Sequence, residues 1–238
     1  MSKFFQKIQS QKYNPKLLGM VFNPFYFVRR ALHQNMKELS SHITGKVLDV
    51  GCGTKPYEKL FTHATEYIGM DYDSPENRKI KQIDVFYDTK KFPFADETFD
   101  GIIFTQVLEH VFNPDEFLTE INRTLKKGGS ILMSVPFVWD EHSQPYDYAR
   151  YSSFGVAHLL KEHGFTIIEH RKSLNDIRVI FQLIACYIHK SLPFKNYYLK
   201  LLSYAILIAP VTIIGSILYR ILPKNNDLYM DNIIVAKK

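Results

Sequence analysis

Two glycines one residue apart, Gly51 and Gly53, close the apolar run Val47-Leu48-Asp49-Val50, and an acid, Asp71, stands 20 residues past Gly51 at the end of Glu66-Tyr67-Ile68-Gly69-Met70-Asp71. Glycine lets a backbone turn tightly and approach a ligand with no Cβ between them, and a helix starting near Lys55 would aim free N–H groups at the same spot. An acid at that separation, ending the second strand, meets the ribose hydroxyls of a nucleoside held by the first turn. Asp49 is placed to receive a ligand's cationic head. The pattern predicts a nucleoside-binding turn, against the plainer alternative of an ordinary tight strand-to-helix connection. A second concentration of reactive side chains lies in Pro136 to Tyr151, where His142, Tyr146, Asp147, Tyr148, Arg150 and Tyr151 share one loop.

The elements needed to position these groups follow from the apolar pattern. Strands are expected at Lys46 to Val50, Glu66 to Asp71, Ile80 to Val85, Gly101 to Phe104, Ser130 to Val135 and Phe165 to His170, with short helices at Pro56 to His63, Asn113 to Leu125 and Ser152 to His163. The continuous apolar run Gly101-Ile102-Ile103-Phe104 suits a strand covered on both faces. Strands alternate with helices, so the sheet should be largely parallel and the ligand should sit at the strands' carboxyl ends. Lys126-Lys127-Gly128-Gly129 stops the helix from Asn113 with cations and glycine. The loop from Pro136 to Tyr151 leaves a strand where chemistry would happen.

At 238 residues, 46% hydrophobic and 23% charged, the chain has room for one α/β catalytic core and an appendage. Its two cysteines, Cys52 and Cys186, make neither a zinc spacing nor a disulfide framework, which fits a reducing, intracellular compartment. Eight Lys or Arg against the single acid Glu38 precede Asp49, so that stretch alone exceeds the total formal charge of +6. The arm from Met1 to Gly45 mixes Lys3, Lys7, Lys12, Lys16, Arg29 and Arg30 with Phe4, Phe5, Tyr13, Phe22, Phe25, Tyr26 and Phe27, and it lacks the apolar core of a secretory signal. After Asn23-Pro24, the run from Phe25 to Ile43 has helical spacing. Such an arm suits nucleic acid, an anionic membrane surface, or a helix packed on the core.

Five motifs in order carry a family resemblance: Val47-Leu48-Asp49-Val50-Gly51-Cys52-Gly53, Asp71, Phe92-Pro93-Phe94 with Phe99-Asp100, Leu108-Glu109-His110-Val111, and Leu125-Lys126-Lys127-Gly128-Gly129. The chain resembles the class I S-adenosylmethionine-dependent methyltransferases, type-11 group, from about Gly45 to Phe165. The resemblance implies a Rossmann-like α/β fold: a seven-stranded, mostly parallel sheet whose last strand, Met230 to Lys237, runs antiparallel. It implies S-adenosylmethionine as cofactor, with Asp49, Gly51 and Gly53 around the methionine part, Asp71 at the ribose, Asp88 near the adenine amino group, and Cys52 and Tyr72 among the cofactor-binding residues. A nicotinamide dinucleotide enzyme is disfavoured because Pro56 stands where the third glycine of its motif belongs.

The family shares its cofactor more firmly than its substrate. Methyl transfer rests on holding donor and acceptor close and aligned, and a hydroxyl acceptor also wants a base. His142 is the first candidate, with Asp147 and His110 behind it; Tyr146, Tyr148, Arg150 and Tyr151 are candidates for acceptor binding. No metal is expected, a set of Asp140, Glu141 and His142 being the weaker option. DNA is excluded as substrate: no Asn-Pro-Pro-Tyr or Asp-Pro-Pro-Tyr is present, and neither cysteine follows a proline.

Before the last strand an unusually long segment intervenes. The run from Ile177 to Ile188 is strongly apolar, and Leu201 to Tyr219 holds 19 residues without a charge. As a helix the latter spans roughly 28 Å, near the ~30 Å of a bilayer core. Pro210 interrupts it, and the closing strand must return to the same side, so an interfacial or re-entrant helical hairpin is expected in place of a single crossing. The organisation expected is an arm at 1–45, a methyltransferase domain at 46–173 with 228–238, and an apolar helical insertion at 174–227. The protein is read as a methyltransferase at the cytoplasmic face of a membrane, its acceptor small or amphiphilic, such as a lipid-linked saccharide or a quinone. Two other readings stand beside it: a cofactor-binding module without turnover, and a soluble enzyme whose hairpin is a lid or dimer contact.

Overall fold

The computed structural model describes residues 7–8, 10–88 and 90–238; Lys3, Phe4 and Phe5 of the basic arm lie outside the described residues. The strands are β1 (Gly45–Val50), β2 (Ala64–Tyr72), β3 (Val85–Tyr87), β4 (Phe99–Thr105), β5 (Leu125–Pro136), β6 (Thr166–Lys172) and β7 (Asp231–Lys237). They form one sheet in the order β3-β2-β1-β4-β5-β7-β6. β1 pairs in parallel with β2 and β4, β4 with β5, and β2 with β3, while β7 runs antiparallel to β5. This is the Rossmann-like sheet with a reversed last strand.

Register explains the placement of the glycine turn. Val50 is level with Met70 on one side and Phe104 on the other, so Gly51, Asp71 and Thr105 emerge side by side at the carboxyl edge. Central strands are buried on both faces, which is why Val47, Leu48, Val50, Ile102, Phe104, Ile131 and Met133 read as unbroken apolar runs. Helix α1 (Tyr26–Leu39), α2 (Pro114–Thr124) and α3 (Ser153–Glu162) are amphipathic. Pro114 opens α2, where a missing N–H costs nothing, and Ser152 caps α3 by accepting from Gly155 N.

The chain divides into two compact units. One, Asn35–Arg171 with Asp231–Lys238, holds the sheet and its principal core. The other groups Met1–Gln34 with Lys172–Met230. In it, α4 (Arg178–Ser191) and α5, the continuous helical run Tyr197–Leu218, make the helical hairpin before the last strand. Pro210 offers no N–H to the carbonyl of Ile206, and the helix adjusts through a π turn at Tyr204–Ile208. Gln182 of α4 is buried and satisfies free backbone groups around the start of α1: its Oε1 accepts from Phe27 N and Val28 N, and its Nε2 donates to Pro24 O.

Two expected elements differ. In place of a helix over Pro56 to His63 there is one 3₁₀ turn, Glu58–Leu60, because Lys55 adopts a left-handed conformation (φ 50°) and β2 resumes at Ala64. No helix N-terminus therefore backs the glycine turn. The third strand begins at Val85, not Ile80: Asp84 turns its carboxylate to Gly69 N at 2.7 Å, and pairing with β2 starts only at Met70 and Val85.

Candidate functional site

At the carboxyl edge of the sheet lies a cavity of about 600 Å³, lined among others by Gly51, Asp71, Tyr72, Tyr87, Gln106, Val107, His110, Phe112, Tyr146 and Tyr148. Its floor is the glycine turn. Gly51 has φ +67°, and a Cβ there would stand 2.5 Å from Val107 Cγ2, so both conformation and space demand glycine. Gly53 has φ +48° with nothing within 4 Å of a Cβ position, so its backbone faces open space.

Asp71 joins the turn to β2. Its Oδ2 accepts from Gly53 N at 2.8 Å, and its Oδ1 accepts from Tyr72 N at 2.8 Å and Asn77 Nδ2 at 3.0 Å. Burial raises its pKa against these hydrogen bonds. Asp49 sits deeper: its carboxylate accepts from the Tyr67 hydroxyl at 2.7 Å and does not line the cavity. Burial pushes it up to about 7, opposed by the Tyr67 hydrogen bond, with Asp71 adding to the rise. Tyr67 thus holds the Asp49 carboxylate behind the turn, where a cationic head was expected to meet it. Cys52 is likewise buried away from the cavity, its thiol held protonated chiefly by burial. Asp88 follows β3 and accepts from Lys90 N at 3.2 Å; its neighbours Tyr87 and Lys90 line the cavity, and Asp88 does not.

The opposite wall comes from the 3₁₀ turn Leu108–His110 after β4 and the loop after β5. Tyr148 N and Ala149 N both donate to Glu109 O, which fastens loop to turn. His110 faces the cavity, with Nδ1 2.6 Å from Tyr146 O; burial lowers its pKa and keeps it neutral. His142 packs edge-on to His110 with ring centroids 4.7 Å apart, so the two expected histidines do come together, although His142 does not line the cavity. Tyr146 and Tyr148 stand largely exposed at the rim, Tyr148 beside Phe112.

Three expected site residues are engaged within the protein. Asp147 makes two 2.7 Å bonds with Arg150, which holds its carboxyl far below the usual carboxylate range and makes it a poor base. Arg150 also donates to the carbonyls of Trp139, Asp140 and Ala149, so its guanidinium braces the loop. Tyr151 packs against the core, and its carbonyl accepts from Asn232 Nδ2 at 2.8 Å. Residues the sequence reading left without a role include Tyr87, Gln106 and Glu109. Gln106 ends β4 with φ 57° and donates to Ser134 Oγ and Asp231 Oδ1. Glu109 is fully buried, neither carboxyl oxygen has a hydrogen-bond partner in any other described residue, and burial, with Asp231's charge adding, pushes its pKa up to about 8 against the bond from its own backbone N–H. A glutamate beside a histidine was the available signal for it.

A family model described as a methyltransferase domain matches residues 24–170, more than half of the chain. An uncharacterized protein of Methanocaldococcus jannaschii is 30% identical over 156 residues, 58% of this chain and 74% of that protein. A phosphatidylethanolamine N-methyltransferase of Cereibacter sphaeroides is 26% identical over 124 residues, 48% of this chain and 58% of that enzyme, under two thirds of its length. Among solved structures, a SAM-dependent methyltransferase from Archaeoglobus fulgidus aligns over 100% of both chains with a TM-score of 0.57 at 17% identity, a likeness of fold.

Proposed function

The chain belongs to the S-adenosylmethionine-dependent methyltransferases, and we propose that it methylates an amphiphilic acceptor at the cytoplasmic face of a membrane. When bound, S-adenosylmethionine supplies a methyl group on a sulfonium. The residues present suit it: the Asp71 carboxylate would accept from ribose hydroxyls, Tyr72 lies next to it on the cavity wall, and the backbone of Gly51 and Gly53 leaves room for close approach. Tyr87 and Lys90 border the end expected to take the base. His110, Phe112, Tyr146 and Tyr148 remain for the acceptor, a mostly aromatic wall that carries one imidazole and two phenol hydroxyls.

One observation carries the membrane reading. On α4 and α5, Ile184, Tyr187, Leu202, Ile206, Leu207, Ile213, Ile214 and Ile217 are all exposed, and Tyr197–Leu218 is by length and composition apolar enough to cross a bilayer. A water-facing protein rarely leaves so many large apolar side chains uncovered. In the same unit, Lys7, Lys12, Lys16 and Arg30 are exposed cations suited to anionic headgroups. The relative from Cereibacter sphaeroides, by its name, acts on a phospholipid. Cys52, a buried thiol outside any disulfide, fits a reducing compartment.

The test is methyl transfer from labelled S-adenosylmethionine to fractionated cell extracts. Label in the lipid or quinone fraction supports the reading. Label confined to water-soluble molecules would make the hairpin a lid or dimer contact, and cofactor binding without label in any fraction would make the protein a module without turnover.

A further inference from the structure

We propose that Glu109, His110 and His142 bind a divalent first-row transition cation at the edge of the acceptor cavity. The ligand atoms these three offer all lie within 4.8 Å of one another, with Glu109 Oε1 3.9 Å from His110 Nε2. Ligands 2.0–2.2 Å from a metal at tetrahedral angles are about 3.4 Å apart, so small side-chain rotations close the set. The set differs from the Asp140, Glu141 and His142 combination weighed from sequence, because the turn after β4 and the loop after β5 meet at Glu109.

Glu109 carries the argument. Its carboxyl is 0% exposed, and neither oxygen has a hydrogen-bond partner in any other described residue. A buried carboxyl left this way is costly, and native proteins keep such groups where an ion or a reaction uses them. The histidines are already oriented as ligands. His110 Nδ1 is 2.6 Å from Tyr146 O, so Nδ1–H donates and Nε2 keeps its lone pair. His142 Nδ1 lies 3.2 Å from Asp140 O and 3.3 Å from Asp147 Oδ2, nearer than the Arg150 Nη2 donor at 3.5 Å, so Nδ1–H donates to these oxygens and Nε2 is left free, while Arg150 fixes the carboxylate from behind. Carboxylate and carbonyl partners of this kind accompany metal-bound imidazoles.

Two imidazoles and one carboxylate suit Mn²⁺, Fe²⁺, Co²⁺ or Zn²⁺ better than Mg²⁺ or Ca²⁺. Three protein ligands leave positions open, and His110 lines the cavity, so an acceptor oxygen is the natural occupant, held and made more acidic by the cation. That use of the cation rests on the methyltransferase reading; the binding of the cation does not.

The experiment strips the full-length protein with a chelator, removes the chelator and titrates Co²⁺ alone, reading visible d–d absorption and its displacement by Zn²⁺. The parent should bind Co²⁺ and give it up to Zn²⁺. Asp147→Asn should weaken binding about 10- to 100-fold through His142, and Glu109→Gln or His142→Ala more strongly still. Circular dichroism and S-adenosylmethionine calorimetry accompany each variant; should Glu109→Gln fail to fold, the half-buried His142 carries the test. No d–d band in the parent, or an undiminished band in folded His142→Ala, overturns the proposal. Intact cofactor binding beside that negative result would leave the methyltransferase assignment standing.

Discussion

Gly53 N donates to Asp71 Oδ2 across 2.8 Å, so the turn after β1 and the end of β2 are one rigid piece before any ligand arrives. The same carboxylate is the one proposed to hold the ribose. Asp71→Ala removes charge-assisted hydrogen bonds worth about 1.5 to 3 kcal/mol each and should weaken S-adenosylmethionine binding roughly ten- to several-hundred-fold. Calorimetry on the folded variant measures it, and unchanged affinity would refute the assignment.

The two glycines of the turn should differ in what they tolerate. Gly51→Ala meets both a left-handed backbone and Val107, and should cost about 2 to 4 kcal/mol with loss of cofactor binding. Gly53→Ala meets only the backbone term, about 1 kcal/mol. Adding Val107→Ala to Gly51→Ala should restore part of the stability, as thermal unfolding will show; no recovery would mean that backbone conformation alone sets the requirement.

The glycine turn was legible because period and spacing encode it: apolar runs pair in register, and register alone brings Gly51 and Asp71 together. The closing antiparallel strand and the helical hairpin were legible for the same reason. Side-chain commitments were not. Nothing local reveals that Tyr67 holds Asp49 behind the turn or that Glu109 is sealed from water, since each depends on groups brought together across the fold, whereas the pairing of Arg150 with both oxygens of Asp147 is a contact three residues apart whose geometry the loop sets. Short helices also misled, because the left-handed Lys55 cuts the expected first helix to one turn.

Two buried carboxyls set a pH dependence. Asp49 and Glu109 are raised to about 7 and about 8, so between pH 4 and 8 the folded metal-free protein binds more protons than the unfolded chain. Stability is therefore highest below their ordinary values and is lost as pH rises through 7 to 8, by on the order of a few kcal/mol. Melting temperatures measured from pH 5 to 8.5 should fall, and Asp49→Asn should flatten the slope. A flat parent profile would show that these groups do not hold protons in the fold.

His110, on the cavity wall, should matter to turnover more than to cofactor binding. His110→Ala should lower kcat about 10²- to 10⁴-fold with cofactor affinity nearly unchanged, whether the imidazole takes a proton or holds a cation. Arg150→Ala should act differently, loosening the loop from Trp139 to Asp147 and lowering thermal stability together with turnover. Equal, purely kinetic effects of the two variants would contradict the bracing role of Arg150.

Membrane attachment should separate cleanly from the sheet. Ile206, Leu207, Ile213 and Ile214 are 60%, 45%, 44% and 47% exposed, so replacing them with polar residues removes little packing and should leave the fold and cofactor affinity intact. If these side chains enter an interface, the intact protein should float with anionic liposomes and the fourfold variant should remain in the soluble fraction. High salt should loosen the parent only partly, since the apolar term persists, and removing residues 1–20 should make the remaining binding less salt-sensitive by taking away basic residues worth about 1 kcal/mol each near such a surface. A monodisperse, detergent-free parent that fails to float would assign the exposed hairpin to a lid or a dimer contact, and an amphiphilic acceptor would lose the observation on which it rests.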